Sequence, residues 1–476
     1  MLDFIIRGGR VVTPEGTGLW DIAIAGERIA AVAAPEALKD VPAAQIIDAG
    51  GKLVFPGGID PHIHCDWPVQ PGKDGGAPLL SAGSAPVSRA ALFGGTTTLI
   101  DFALWNPGET LEEALARRDR QWRGQCHCDY AFHVMLFGKI PPTLLNELPE
   151  AMQAGFPTVK LFTTNIRPSV TGRKVGFGDV WEILKVLARH GGLAAIHAEE
   201  DDLVMHQYEK LIAEGRVGFE NMPEVHSALS EDLAFRHIIR LAENVEGAAL
   251  YMMHVSAGTG IAAIRESRAR GYPIYGETLH QYMLYNASDY LRPNGQIYHT
   301  YPSLKTEADQ QALWRGTVDG EISAIATDGI CTSLCTKVHG KRIDDTTGGN
   351  AGVEPRLSVM YTEMVVKRGY SLEAFVDQIA TGAARIMGLY PRKGVIAAGA
   401  DADLVIFDPA IRRKVRVEDL HETDYSPWEG HEIAGWPETT ILRGKIVVHK
   451  GEFLGGARGV SIPRKIADAI RSRPAC

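Results

Sequence analysis

No stretch of this chain stays apolar for the ~18 residues that a membrane-spanning helix requires, so it is not expected to cross a bilayer. It also lacks any basic excess: 49 Lys and Arg face 58 Asp and Glu, for a net charge of −9. That balance excludes the positive footprint of a nucleic-acid binder or of a protein docking on anionic lipid. Cysteine is scarce, six in 476 residues, too few for a disulfide framework. Cys126-His127-Cys128 has no second pair to complete a zinc site and reads as a turn before a strand. Asp3 comes early and no long apolar core follows it, which argues against a secretory leader. What is left is an ordinary globular composition, 45% hydrophobic and 22% charged, fitting a cytoplasmic protein that acts on small molecules. At 476 residues the chain exceeds a single core, so a large domain with a smaller companion is expected.

The local patterns divide the chain. Residues 1–54 read as short strands (Asp3–Val12, Asp21–Ala25, Arg28–Val32, Gln45–Ile47) punctuated by Gly and Pro. From 55 to 391 short apolar runs alternate with longer helical periods. After the run that ends Phe55-Pro56-Gly57-Gly58-Ile59-Asp60 come Thr96–Phe102, Tyr130–Phe137, Thr158–Phe162 and Gly192–His197. Ala249–Val255, Pro273–Glu277 and Ile322–Thr327 complete eight. Eight strands, each followed by a helix, predict an α/β fold of the (β/α)8 barrel type. The runs are apolar throughout, as strands covered on both faces should be. Strand-like patterns return over 392–455, at Ala402–Phe407, Lys414–Val417 and Thr439–Val448, so the two ends of the chain are expected to meet in one small sheet domain. The basic stretch 456–476 is read as a C-terminal arm lying over a neighbouring subunit.

Active sites of such barrels lie at the C-terminal ends of the strands. His62 and His64 close the first run, and if that run is a strand, residues two apart point the same way. Lys160 lies inside the fourth run, His197 ends the fifth, His254 falls near the end of the sixth and Asp328 ends the eighth. Singly, each has a plain structural reading: a core histidine bonded to a carbonyl, an aspartate capping a turn. Lys160 is harder to explain so, because between Val159 and Leu161 it must snorkel or lose its charge. Beside a metal the neutral amine is favoured, and it can add CO2 to become a carbamate able to bridge two cations. Six such residues at strand ends together point to a metal centre.

This pattern, Asp60-x-His62-x-His64 with Lys160, His197, His254 and Asp328, resembles the amidohydrolase superfamily, and within it the dihydropyrimidinases and hydantoinases. Phe93-Gly-Gly-Thr-Thr-Thr-Leu-Ile-Asp-Phe102, His197-Ala-Glu199, Gly276-Glu-Thr278 and Lys393–Leu404 strengthen the likeness, which spans almost the whole chain. The resemblance implies a barrel with a β-sandwich built from both termini, usually a homotetramer or dimer. It implies two divalent cations, zinc most often and manganese in some members. His62, His64 and Asp328 would hold one, His197 and His254 the other, with carbamylated Lys160 between them. A bridging hydroxide would attack the carbonyl of a cyclic amide, and Asp328 would carry its proton to the leaving nitrogen.

The positions that read the substrate depart from the family. Asn165 stands where a tyrosine is usual, five residues after the lysine, and Tyr301 stands where a serine is usual. The loop after the last strand runs Asp328-Gly329-Ile330-Cys331, and Gly348 falls where an asparagine is expected. These four, Asn165, Tyr301, Gly329 and Gly348, are the candidate substrate contacts. A pocket built around one polar group rejects substrates lacking it, so an ordinary dihydrouracil-opening enzyme is not expected. Asp66 occupies the position where dihydroorotases carry an arginine, against that activity, while allantoinase-like hydrolysis stays open. Non-catalytic relatives that serve in assembly have lost metal ligands, and here all six positions are filled. Trp67 and Trp105 follow the first two strands, as substrate contacts or loop anchors.

Overall fold

The computed structural model describes residues 2–71, 76–455 and 459–476. Its centre is an eight-stranded parallel sheet in chain order. We label the barrel strands β1 (Gly58–Asp60), β2 (Thr96–Leu104), β3 (Asp129–Met135), β4 (Thr158–Phe162), β5 (Leu193–His197), β6 (Leu250–Met252), β7 (Ile274–Leu279) and β8 (Ile322–Ala326). Seven of the eight expected runs each hold one barrel strand, and the opening run holds the eighth at its end. Those of β4 to β8 are buried residue by residue, which is why the sequence shows apolar runs and not alternation. Helices cover the outside, with ends written locally. Thr110 and Glu113 form a capping box on Leu111–Trp122, and Gly191, at φ +90°, stops Phe177–His190.

The barrel closes through side chains as well as backbone. Asp60, at the end of β1, accepts from Thr327 N (3.2 Å) and Thr327 Oγ1 (2.6 Å), just past β8. His64 N then donates to Gly329 O (2.8 Å), and Ile63 bridges Gly329. This seam sets the height of the two leading histidines relative to Asp328.

The opening run is not one strand. Leu53–Pro56 belongs to a seven-stranded sheet, parallel to Arg10–Thr13 and antiparallel to Leu404–Lys414, so strands from both termini share it. A separate four-stranded sheet holds Leu2–Arg7, Asp21–Ala25, Arg28–Ala33 and Ala43–Asp48. At Gly57 the chain passes from one sheet to the barrel, and a Cβ there would lie 2.1 Å from Thr97 Oγ1, so only glycine fits. His62 and His64 therefore follow β1 and do not ride on it.

The stretch after residue 458 also departs from expectation. It lies against its own barrel: Gly459 N donates to Cys126 O (2.9 Å) and Ile462 N to Tyr130 O (2.8 Å). Ile462, Ile466 and Ile470 enter a buried cluster with Ile59, Leu193, Tyr251 and Ala324. Three isoleucines need cover from water, and the floor of the barrel supplies it. Residues 456–458 lie outside the described residues. Among the described residues no helix is long and apolar enough to cross a membrane.

A lysine joins the barrel to the C-terminal return. Lys393 Nζ lies 2.7 Å from Asp129 Oδ2 and 3.1 Å from Asp401 Oδ2, and it also pairs with Asp403, all of them buried. Burial opposes its charge, but Asp403 and Asp129 outweigh it and hold the ammonium well above the usual range. The three carboxylates group closely enough to suggest a cation site, yet Lys393 already fills the centre. Lys393→Met should leave Asp403 without a cation and Asp129 and Asp401 dependent on the arginines at their edges, Arg443 for one and Arg28 and Arg392 for the other, and cost about 3–5 kcal/mol. Paired guanidinium melts of the two proteins read this as a lower midpoint for the variant.

Candidate metal centre

The imidazoles and one carboxylate meet at the C-terminal mouth of the barrel. His62 Nδ1 donates to Glu277 Oε1 (2.7 Å), and Tyr251 OH donates to Oε2 of the same residue (2.9 Å). A carboxylate only accepts, so the proton of His62 sits on Nδ1 and Nε2 faces inward. That Nε2 lies 3.1 Å from Asp328 Oδ1, and His64 Nε2 lies 3.3 Å from the same oxygen. His62, His64 and Asp328 thus offer three ligand atoms within 4.8 Å of one another. Thr300 Oγ1 donates to Asp328 Oδ2 (2.7 Å), leaving Oδ1 for the cluster.

The other pair sits alongside. The ring centres of His197 and His254 are 4.4 Å apart, and those of His62 and His254 5.4 Å. His197 Nε2 donates to Glu199 Oε2 (2.9 Å), whose Oε1 accepts from His226 Nδ1 (2.8 Å), so Nδ1 of His197 is its available nitrogen. His254 and Asp328 both hold left-handed backbone, at φ +39° and +49°. Such strain in non-glycine residues collects at functional sites.

Lys160 faces the same space. Its Nζ lies 2.8 Å from Met253 Sδ and above the ring of Phe162, at 4.8 Å. Burial lowers its pKa to about 7, with Asp328 and Glu277 partly opposing, so much of it is neutral amine near pH 7.

The donors fit divalent cations. Burial lowers His64 and His197 to about 4 and His254 well below the usual value, keeping all three neutral with a free lone pair. Nδ1 of His64 and Nδ1 of His254 are buried without a hydrogen-bond partner among the described residues. Burial also works against charge on His62, but Glu277 and Asp328 outweigh it and raise its pKa to about 9. For Asp328 burial is likewise outweighed, by His62 and His64, and the carboxylate is held ionised. Three neutral imidazoles, an anionic oxygen, a near-neutral amine and His62, whose Nε2 proton a bound cation would displace, form a set that suits zinc or manganese.

A narrow cleft opens above these residues. Of the four candidate substrate contacts, Tyr301 and Gly348 line it, and a Cβ on Gly348 would lie 2.4 Å from Tyr301 Cδ2. Asn165 is not among the lining residues. Its Oδ1 accepts from Arg173 N (3.0 Å) and Lys174 N (3.1 Å), which ties a loop, and the neighbouring Ile166 faces the cleft instead. Gly329 gives its carbonyl to His64 N, and Ile330 lines the cleft beside it. Trp67 lines the cleft, whereas Trp105 anchors a loop by donating to Glu109 O (2.6 Å). Glu277, Glu199 and Thr300 orient the site, and Arg167 and Arg173 line it, without having been singled out by sequence pattern. The first two lay within quoted motifs, two residues past His197 and in Gly276-Glu277-Thr278, where a carboxylate partner for a ligating histidine was there to be read.

Residues 174–447 match the model of the amidohydrolase family. The chain belongs to the amidohydrolase family. This amidohydrolase is 34% identical to a D-hydantoinase of Streptomyces coelicolor over 97% of each chain. It is 33% identical to a D-hydantoinase of Geobacillus stearothermophilus, covering 95% of this chain and 94% of that one. The crystal structure of dihydropyrimidinase from Brevibacillus agri NCHU1002 superposes with a TM-score of 0.89 at 31% identity, over 97% of this chain and 99% of that one.

Proposed function

We propose that this amidohydrolase opens the C–N bond of a cyclic amide, imide or ureide with the help of two divalent cations, zinc or manganese. What carries the proposal is the meeting of His62 Nε2 and His64 Nε2 on one oxygen of Asp328, at 3.1 and 3.3 Å, beside His197, His254 and Lys160. Relatives named for hydantoin and dihydropyrimidine rings, both cyclic amides, support the substrate class.

His62, His64 and Asp328 would hold one cation, and His197 and His254 the other. Lys160, as the carbamate left when its neutral amine adds to CO2 and loses a proton, would supply a carboxylate to both. Such ions supply Lewis acidity toward the carbonyl oxygen and lower the pKa of water toward neutrality. Asp328, ionised at neutral pH, takes the proton from the attacking water as its oxygen joins the ring carbonyl carbon. It returns that proton to the ring nitrogen as the C–N bond breaks, releasing a ring-opened acid. Glu277 and Glu199 keep His62 and His197 in the required tautomers, and Thr300 fixes the carboxylate that moves the proton.

In this scheme residues 55–391 carry the chemistry, and 1–54 with 392–455 form the supporting β unit. The proposal extends to a cytoplasmic homo-oligomer, whose size sedimentation velocity reads. Its main test is metal loading in bicarbonate, metal quantification, then turnover on hydantoins, dihydrouracil, succinimide and allantoin. Two metal ions per chain and a ring-opened acid are expected, with activity lost to a chelator and restored by metal. Metal-loaded, bicarbonate-treated protein that opens none of these rings would overturn it.

A further inference from the structure

Two arginines in the cleft have no counter-charge among the described residues. Arg173 lies in the loop between β4 and the helix Phe177–His190, and its backbone is pinned on both sides. Its N–H donates to Asn165 Oδ1 (3.0 Å), and its carbonyl accepts from Gly138 N (3.3 Å). The guanidinium stacks above Phe137 and Phe162, 5.2 and 5.3 Å from their ring centres. Nε is buried and unpartnered, and among the described residues the side chain meets no carboxylate. Arg167, six residues earlier, gives one N–H to Thr346 O (3.0 Å) and is likewise unpaired by any described acid. The contrast is local, for the adjacent Lys174 has its partner in Asp201 at 3.3 Å. Burial, reinforced by the charge of Arg167, lowers Arg173 to about 10, so the two cations share one cleft at a mutual cost.

A guanidinium held against aromatic rings, with donors toward a cleft and no anion beside it, is an expensive arrangement unless a ligand supplies the anion. Its planar fork matches a carboxylate. Resting on the hydrolase reading above, we propose that the substrate carries a carboxylate on its exocyclic substituent and that Arg173, assisted by Arg167, receives it. The preferred ring is then an acidic cyclic amide or ureide. The reaction that supplies it must act on an acidic amino acid or an acid-bearing heterocycle, and its ring-opened product is a dicarboxylate.

The test compares kcat/KM for hydantoins bearing carboxymethyl or carboxyethyl at C5 with their neutral propyl and isobutyl counterparts. The wild-type enzyme should favour the acids by about 10- to 100-fold, the range of one charge-assisted pair. Arg173→Gln and Arg167→Gln should each shrink that ratio, mainly through KM, and Arg173→Lys should restore part of it. Isothermal titration with the ring-opened dicarboxylate should show the same loss of affinity. Equal or better turnover of the neutral hydantoins by the wild-type enzyme would overturn the acidic subsite while leaving the hydrolase intact. No turnover of either kind would strike at the hydrolase itself. If Arg173→Gln instead lowers both substrate classes equally, together with the metal content, Arg173 serves Lys160 and the subsite is refuted.

Discussion

Asp328→Asn is expected to lower kcat and kcat/KM together by about 10²–10⁴-fold, the usual worth of a positioned acid–base group. Asparagine keeps the shape and can still accept from Thr300 Oγ1, 2.7 Å from the carboxylate. It cannot take a proton from water or return one to a ring nitrogen. Far-UV circular dichroism and metal content should therefore resemble wild type while turnover collapses. Full activity in the variant would remove Asp328 as the proton carrier and leave its contacts with His62 and His64 as its whole role.

Lys160→Ala should be at least as severe and should fail differently. With the amine gone there is no carbamate, so metal content should fall below two per chain. Loss of several kcal/mol of Lewis-acid stabilisation corresponds to about a thousand-fold in rate. The space vacated beside Phe162 and Met253 is open to a small carboxylate. Millimolar acetate or propionate should restore part of the activity and of the metal content in Lys160→Ala and do nothing for Asp328→Asn. A variant with undiminished metal and rate would show that Lys160 is merely a buried neutral amine.

The barrel could be read from sequence because strands covered on both faces appear as unbroken apolar runs, and polar residues at their ends stand out. His197, His254 and Asp328 stand out in this way from the sequence alone. Sheet membership is invisible in the same pattern. The run through Phe55 and Ile59 crosses from the terminal sheet to the barrel at Gly57, and only the closeness of Thr97 betrays the change. Loops were the hardest to read, since where a loop side chain points depends on local hydrogen bonds and not on period. Asn165 occupies the position of a family substrate contact, yet its amide is spent on the backbone of Arg173 and Lys174. Arg173 had no periodic neighbour to mark it. Ile462, Ile466 and Ile470 were hidden among arginines and lysines, although three isoleucines at one spacing are a signal that a burial argument can use.

The pairing of Leu53–Pro56 with Leu404–Lys414 also bears on how the molecule is born. At about 5–20 residues per second a ribosome needs roughly 20–70 s to travel between the two strands. Throughout that interval Leu53, Val54 and Phe55, buried in the finished protein, can pair with Arg10–Thr13 on one side but lack the strand that covers the other. The sheet that holds both strands therefore completes only after about 350 further residues have been made, so its assembly comes late in synthesis whichever part of the barrel forms first.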